Sequence, residues 1–148
     1  MNILVSACLL GVCCRYDGTG KDIGLKDKYP NVTFVQVCPE VLGGLSIPRS
    51  SAEISQGRVV NIDGCDVTKE FAEGAQKALE IAFKNNCAAA LLKARSPSCG
   101  SSVAYDGSFK GKLVRGDGVL AALLKENGIK VFSEENLGDF DEYLQAES

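Results

Sequence analysis

The chain has 148 residues, 45% hydrophobic and 24% charged, which excludes disorder and coiled coil and allows one core without disulfide staples. A net charge of −3, with Lys and Arg scattered singly, argues against a nucleic-acid polymer as partner. Seven cysteines with no histidine exclude every Ser-His or Cys-His arrangement and leave thiolates, carboxylates, hydroxyls and cations to carry any chemistry.

Residues 2–7 are short and apolar and predict a buried strand running into Cys8; residues 32–37 (Val-Thr-Phe-Val-Gln-Val) predict a second, running into Cys38. Asp66-Val67-Thr68-Lys69-Glu70 opens a long helix by capping logic. Phe71, Ala75, Ala78, Leu79, Ala82 and Phe83 recur along it at helical spacing, opposite Glu73, Lys77, Glu80 and Lys84, until Asn85-Asn86 stops it. Residues 88–93 predict a third strand, leading into Arg95-Ser96-Pro97-Ser98-Cys99-Gly100. Tyr105-Asp106-Gly107 and Arg115-Gly116-Asp117-Gly118 punctuate a hairpin. Val119 to Leu124 then form a helix ended at Asn127-Gly128, and residues 129–132 form a further strand. The acidic tail, 133–148, carries Leu137, Phe140, Tyr143 and Leu144 and either docks as a helix or frays.

Strands alternating with helices imply a single α/β domain over 1–148, a three-layer sandwich on a mostly parallel sheet with Rossmann-like or flavodoxin-like winding. No segment approaches a membrane span and the first residues lack a basic signal region, so the expectation is a cytoplasmic protein that meets no membrane. Ligands of such sheets bind outside the carboxyl ends of the strands, where Cys8, Cys38 and Cys99 all fall.

Three thiols with no nitrogen ligand suit iron and sulfide, and a three-cysteine set leaves one coordination position for a substrate atom. Three alternatives stay open: a structural zinc or iron-sulfur module, a metal-free thiol-redox protein, and cysteines that only pack. Cys65 and Cys87 read as packing cysteines; Cys13 and Cys14, adjacent in sequence, have diverging side chains, and either would serve as a fourth ligand or a redox thiol. Glu40 is the acidic group nearest the presumed site, suited to proton transfer or simply a solvated loop carboxylate. Ser96, Ser98 and Ser101 crowd the Cys99 loop as hydrogen-bond donors or turn formers. Arg15, Arg49, Lys93 and Arg95 lie near the cysteine loops, where cations offset thiolate charge, or are solvated. Gly116-Asp117-Gly118 is a helix cap or an anion site.

The chain resembles a bacterial and archaeal family, long filed as a domain of unknown function, that includes the thiouracil desulfurases. The resemblance rests on Ser6-Ala7-Cys8-Leu9-Leu10-Gly11, Arg15-Tyr16-Asp17-Gly18, Cys38-Pro39-Glu40, Gly43-Gly44-Leu45, Pro48-Arg49, Asp66-Val67-Thr68, Leu92-Lys93, Ser96-Pro97-Ser98-Cys99-Gly100 and Gly116-Asp117-Gly118, and covers about residues 2–132. It implies a 4Fe-4S cluster held by Cys8, Cys38 and Cys99, and removal of sulfur from a thiolated heterocycle without redox change, water supplying the oxygen. Glu40, Ser96 and Ser98 are then the catalytic candidates, and Arg15, Arg49, Lys93 and Ser101 the candidates for binding the small-molecule substrate. The family pattern does not require cysteine at Cys14, so that residue is not counted as a ligand; the tail lies beyond the match.

Overall fold

The computed structural model describes residues 1–147; Ser148, the last residue of the acidic tail, lies outside them. Strand β1 (Asn2–Ser6) runs into a 3-10 turn, Ala7–Leu10, and is followed by the short helix α1 (Leu25–Lys28). Strand β2 (Thr33–Val37) leads directly into α2 (Pro39–Leu42), with proline in the first helical turn, where its missing N–H costs nothing. A hairpin of β3 (Ala52–Ser55) and β4 (Arg58–Asn61) precedes the long helix α3 (Thr68–Lys84). Strand β5 (Ala89–Leu92), the hairpin β6 (Val103–Tyr105) and β7 (Leu113–Arg115), helix α4 (Val119–Glu126), strand β8 (Lys130–Ser133) and helix α5 (Leu137–Glu147) complete the chain.

The central sheet has the order β2-β1-β5-β8 and every pairing in it is parallel. Its two central strands, β1 and β5, are buried on both faces, which explains why they read as apolar runs rather than alternations, while the edge strands β2 and β8 are partly exposed. Leu4, Ala90 and Leu92 face α3 and α4, packing with Ala75, Ala78, Leu79 and Leu124. Ile3, Val5, Ala89 and Leu91 face the other way, packing with Leu25 of α1 and Phe140 of α5. The expected three-layer α/β sandwich is therefore what the chain forms. Phe71 and Leu79 are almost wholly buried, each contributing about 1.5–3 kcal/mol. Phe83, expected on the same face, is 54% exposed, because the helix turns it past the edge of the buried stripe.

The tail docks. Phe140 is fully buried, edge-on to Tyr29 with ring centroids 5.1 Å apart, and the Tyr29 hydroxyl bonds Asp141. The hairpin β3–β4 and the one-turn helices α1 and α2 are the elements the sequence reading did not foresee. Among the described residues no helix is long and apolar enough to cross a membrane.

Candidate functional site

The chain runs from β1 out to β2 on one side and returns, through α3, to β5 on the other side of β1. The carboxyl ends of β1 and β5 are thus a topological switch point, the place where parallel sheets open a crevice. A cavity of about 440 Å³ lies there, within the range of small-molecule sites. Its wall includes Cys8 from the turn after β1, Cys38 from the start of α2, Cys99 from the loop after β5, and Cys14. Cys8, Cys14 and Cys99 are buried and Cys38 is half-buried.

Cys99 sits well beyond the end of β5 and reaches the cavity because its loop is tied at both ends. Ser96 Oγ accepts the backbone N–H groups of Ser98 and Cys99, at 3.2 and 3.1 Å. The first N–H groups of α4 are taken by the same loop: Val119 donates to the Pro97 carbonyl at 2.9 Å and Leu120 to that of Ser98 at 2.8 Å. Gly118 has no room for a side chain, since a Cβ there would lie 2.6 Å from the Ser98 carbonyl. Asp117 accepts the Ser102 N–H and pairs with Lys125. The Gly116-Asp117-Gly118 segment therefore fastens the Cys99 loop, and its helix start has no donors left for an anion.

The thiols differ in their hold on a proton. Hydrogen bonding with the Cys14 side chain lowers the Cys38 thiol to about 6, against burial; the same interaction, with burial, pushes Cys14 up. Burial pushes Cys99 up to about 12 against hydrogen bonds from Ser6 and Ser98. Cys8 is raised by burial, and the nearby Arg15 partly offsets this.

Glu40 stands at the centre of the wall with both oxygens engaged. Ser98 donates its hydroxyl to Oε2 at 2.9 Å, and Arg49 donates Nε–H to Oε1 at 3.0 Å. Ser96 and Ser98 hydroxyls are 3.0 Å apart. Lys93 pairs with Glu134 at 2.8 Å and Arg95 pairs with Glu135, while the Arg15 guanidinium has no hydrogen-bond or ion-pair partner among the described residues. Tyr16, Tyr105 and Phe109 supply an aromatic rim. Of the sequence candidates, Glu40, Ser96, Ser98, Arg15, Arg49 and Lys93 line the cavity; Ser101 lies outside its lining.

A sequence profile of the 2-thiouracil desulfurase family matches residues 3–136, most of the chain. The chain belongs to the 2-thiouracil desulfurase family. Among solved structures it is similar to a 4Fe-4S-dependent thiouracil desulfidase, TudS (DUF523Vcz), with 43% identity, a TM-score of 0.89 and 98% of each chain covered. It is also similar to the uncharacterized protein YbbK of Bacillus subtilis (strain 168), at 44% identity over 93% of this chain and 98% of the relative. The family match extends past β8 to take in Glu134 and Glu135, beyond the stretch on which the sequence resemblance rested.

Cys14, Tyr16, Tyr105 and Phe109 line this family member's cavity, and Glu134 stands beside it, without a site role in the sequence reading. Cys14 had been set aside, yet it is 4% exposed, lines the cavity and meets Cys38, whereas Cys13 points to solvent. Tyr105 reads from the sequence only as a turn residue, and Phe109 has no reading there. Glu134, whose Oε1 also accepts the Ala94 N–H at 2.7 Å, sits just beyond β8 at the carboxyl edge of the sheet, and that position was a usable signal. Cys65, expected to pack inside, is exposed because it follows the β4 turn rather than a core strand; Cys87 packs inside as expected.

Proposed function

We propose that this protein is an iron-sulfur-dependent desulfurase that turns the thiocarbonyl of a heterocycle such as thiouracil into a carbonyl. Water supplies the oxygen, the sulfur leaves as hydrogen sulfide, and no electrons are gained or lost. What supports the reading is one observation, the convergence of Cys8, Cys38 and Cys99 with the Glu40–Ser98 pair on one cavity of a family member.

The donor set fits the group. Thiols without nitrogen ligands suit iron and sulfide, and the thiols of a cluster bind separate irons, so they stand farther apart than the ligands of one ion. Among the described residues no group of three or more His, Cys, Asp or Glu side chains is gathered tightly enough to hold a single metal ion. Cys8, Cys38 and Cys99 would hold a 4Fe-4S cluster, which when bound supplies a Lewis-acidic iron with affinity for sulfur.

The remaining work falls to the chain's own side chains. Tyr105, Phe109 and Tyr16 offer flat faces to a planar ring. The Ser98 hydroxyl, aimed at Glu40 Oε2, orients the ring or the attacking water. Glu40 takes a proton from that water at Oε2 as oxygen bonds to the ring carbon and returns it to the sulfur; the second water proton leaves the new hydroxyl as the carbonyl forms and the carbon–sulfur bond breaks, and it completes hydrogen sulfide. The thiol-rich wall suits a reducing, cytoplasmic setting for a single-domain enzyme whose partner is a small molecule, not a membrane or a nucleic acid. The test is incubation of anaerobically reconstituted protein with 2-thiouracil in isotopically labelled water. Labelled uracil and an equal yield of sulfide are expected; a sample with full cluster absorbance that releases no sulfide overturns the reading.

A further inference from the structure

Of the cations in the cavity wall, Arg49 is the one whose surroundings contradict a substrate-binding role. Its side chain is 7% exposed, and its guanidinium is divided among three protein acceptors. Nε donates to Glu40 Oε1 at 3.0 Å, Nη2 to the Cys14 carbonyl at 2.9 Å and Nη1 to the Ser46 carbonyl at 3.1 Å. The Arg49 backbone N–H adds a fourth tie, to the Tyr16 carbonyl at 2.8 Å. A planar guanidinium that makes three bonds in three directions has one orientation, and it imposes that orientation on the groups it holds.

Glu40 is the group with most to gain. Its carboxylate is free to rotate about the bond that carries it, and if both oxygens were equivalent the Ser98 hydroxyl would meet either. Arg49 removes the equivalence by holding Oε1, which leaves Oε2 to Ser98 at 2.9 Å. The Cys14 carbonyl that Arg49 binds also accepts from the Cys38 thiol at 3.6 Å, so the same side chain ties the acid to the cysteine-bearing loops on either side of it. We infer that Arg49 is a positioning residue for the reaction, presenting Glu40 Oε2 to Ser98 and the substrate by holding Oε1, rather than a cation that binds substrate. The inference rests on the desulfurase reading and adds to it a division of labour between the two carboxylate oxygens.

A misplacement of about 1 Å at a catalytic group costs about a hundredfold in rate, and a group that acts only through another loses its effect once that other is gone. The experiment measures kcat and KM for 2-thiouracil, with cluster absorbance per chain, in anaerobically reconstituted wild type, Arg49→Gln, Arg49→Lys, Glu40→Gln and the double variant Glu40→Gln/Arg49→Gln. The expected result for Arg49→Gln is a kcat lower by about a hundredfold with KM within about threefold of wild type and cluster absorbance retained. Arg49→Lys, which keeps the charge but reaches fewer acceptors, falls between, and the double variant is no slower than Glu40→Gln alone. Should Arg49→Gln not fold, the same comparison is made with Arg49→Lys and Glu40→Gln/Arg49→Lys. A raised KM at unchanged kcat, rate losses that multiply in the double variant, or loss of the cluster from Arg49→Lys would each overturn the inference while wild type stays active. A cluster-loaded wild type that releases no sulfide would overturn the desulfurase reading first, and this inference with it.

Discussion

Ser98 has one hydroxyl proton and three acceptors in reach, Glu40 Oε2 at 2.9 Å, Ser96 Oγ at 3.0 Å and Cys99 Sγ at 3.7 Å. A bond to a carboxylate is the strongest of the three, so the proton is committed to Glu40. Glu40→Gln keeps the shape of the site but removes its proton acceptor; cluster absorbance should persist while turnover of 2-thiouracil drops about a hundredfold or more. Unchanged turnover would reduce Glu40 to a loop carboxylate. Ser96 is different, because its Oγ satisfies two backbone N–H groups of the Cys99 loop. Ser96→Ala should cost about 1–3 kcal/mol in denaturant unfolding of the apoprotein, and an unaltered midpoint would contradict that. Cys99 sets a pH dependence of its own. Its pKa is raised by burial from 9.0 to about 12, so between those values the unfolded chain loses a proton that the folded chain keeps. Stability present below pH 9 should therefore fall as the pH climbs toward about 12, and Cys99→Ala should flatten that decline in the apoprotein. An equal slope in the variant would show that Cys99 is not the cause. At this scale Cys8, Cys38 and Cys99 were legible because each follows a short apolar run that reads as a strand. Cys14 was not, since its approach to Cys38 depends on the path of the loop from Gly11 to Thr19, for which no periodic pattern exists.

Helices α2 and α3 cross on glycine. A Cβ on Gly74 would lie 1.8 Å from the Pro39 carbonyl, and one on Gly43 1.9 Å from the Glu70 carbonyl, so the backbones touch. This contact seats Pro39 and Glu40 immediately after Cys38. Gly74→Ala should push α2 away, lowering stability by about 1–3 kcal/mol or more and turnover with it; wild-type melting and activity would show that α2 yields without moving the site. Helix α3 was readable from its cap and its apolar spacing, whereas the β3–β4 hairpin was not. Its strands are four residues each, and its turn places Gln56 and Gly57 at φ of 51° and 78°, a two-residue turn that usually announces itself with Asn-Gly or Asp-Gly. The β6–β7 hairpin was foreseen because Asp-Gly and Gly-Asp-Gly bracket it. Tail docking was undecidable in advance, as it depends on Phe140 finding Tyr29 and Phe132 across the sheet.

At the scale of the molecule, a parallel sheet ordered β2-β1-β5-β8 brings three distant thiols to one crevice, and the fold class was readable from alternating strand and helix signals alone. What was not readable is the roof. The β6–β7 hairpin lends Tyr105 and Phe109 to the rim, and the loop after β8 lends Glu134 to Lys93, through contacts that join elements far apart in sequence. The central claim is that Cys8, Cys38 and Cys99, and no fourth cysteine, hold the cluster that serves desulfuration. Iron and sulfide content per chain, measured after anaerobic reconstitution of wild type and the four variants Cys8→Ala, Cys38→Ala, Cys99→Ala and Cys14→Ala, tests it directly. A full 4Fe-4S complement in wild type and Cys14→Ala, with little iron in the other three, is the expected result; a cluster lost from Cys14→Ala as completely as from the rest would mean a closed, four-cysteine site and contradict the account.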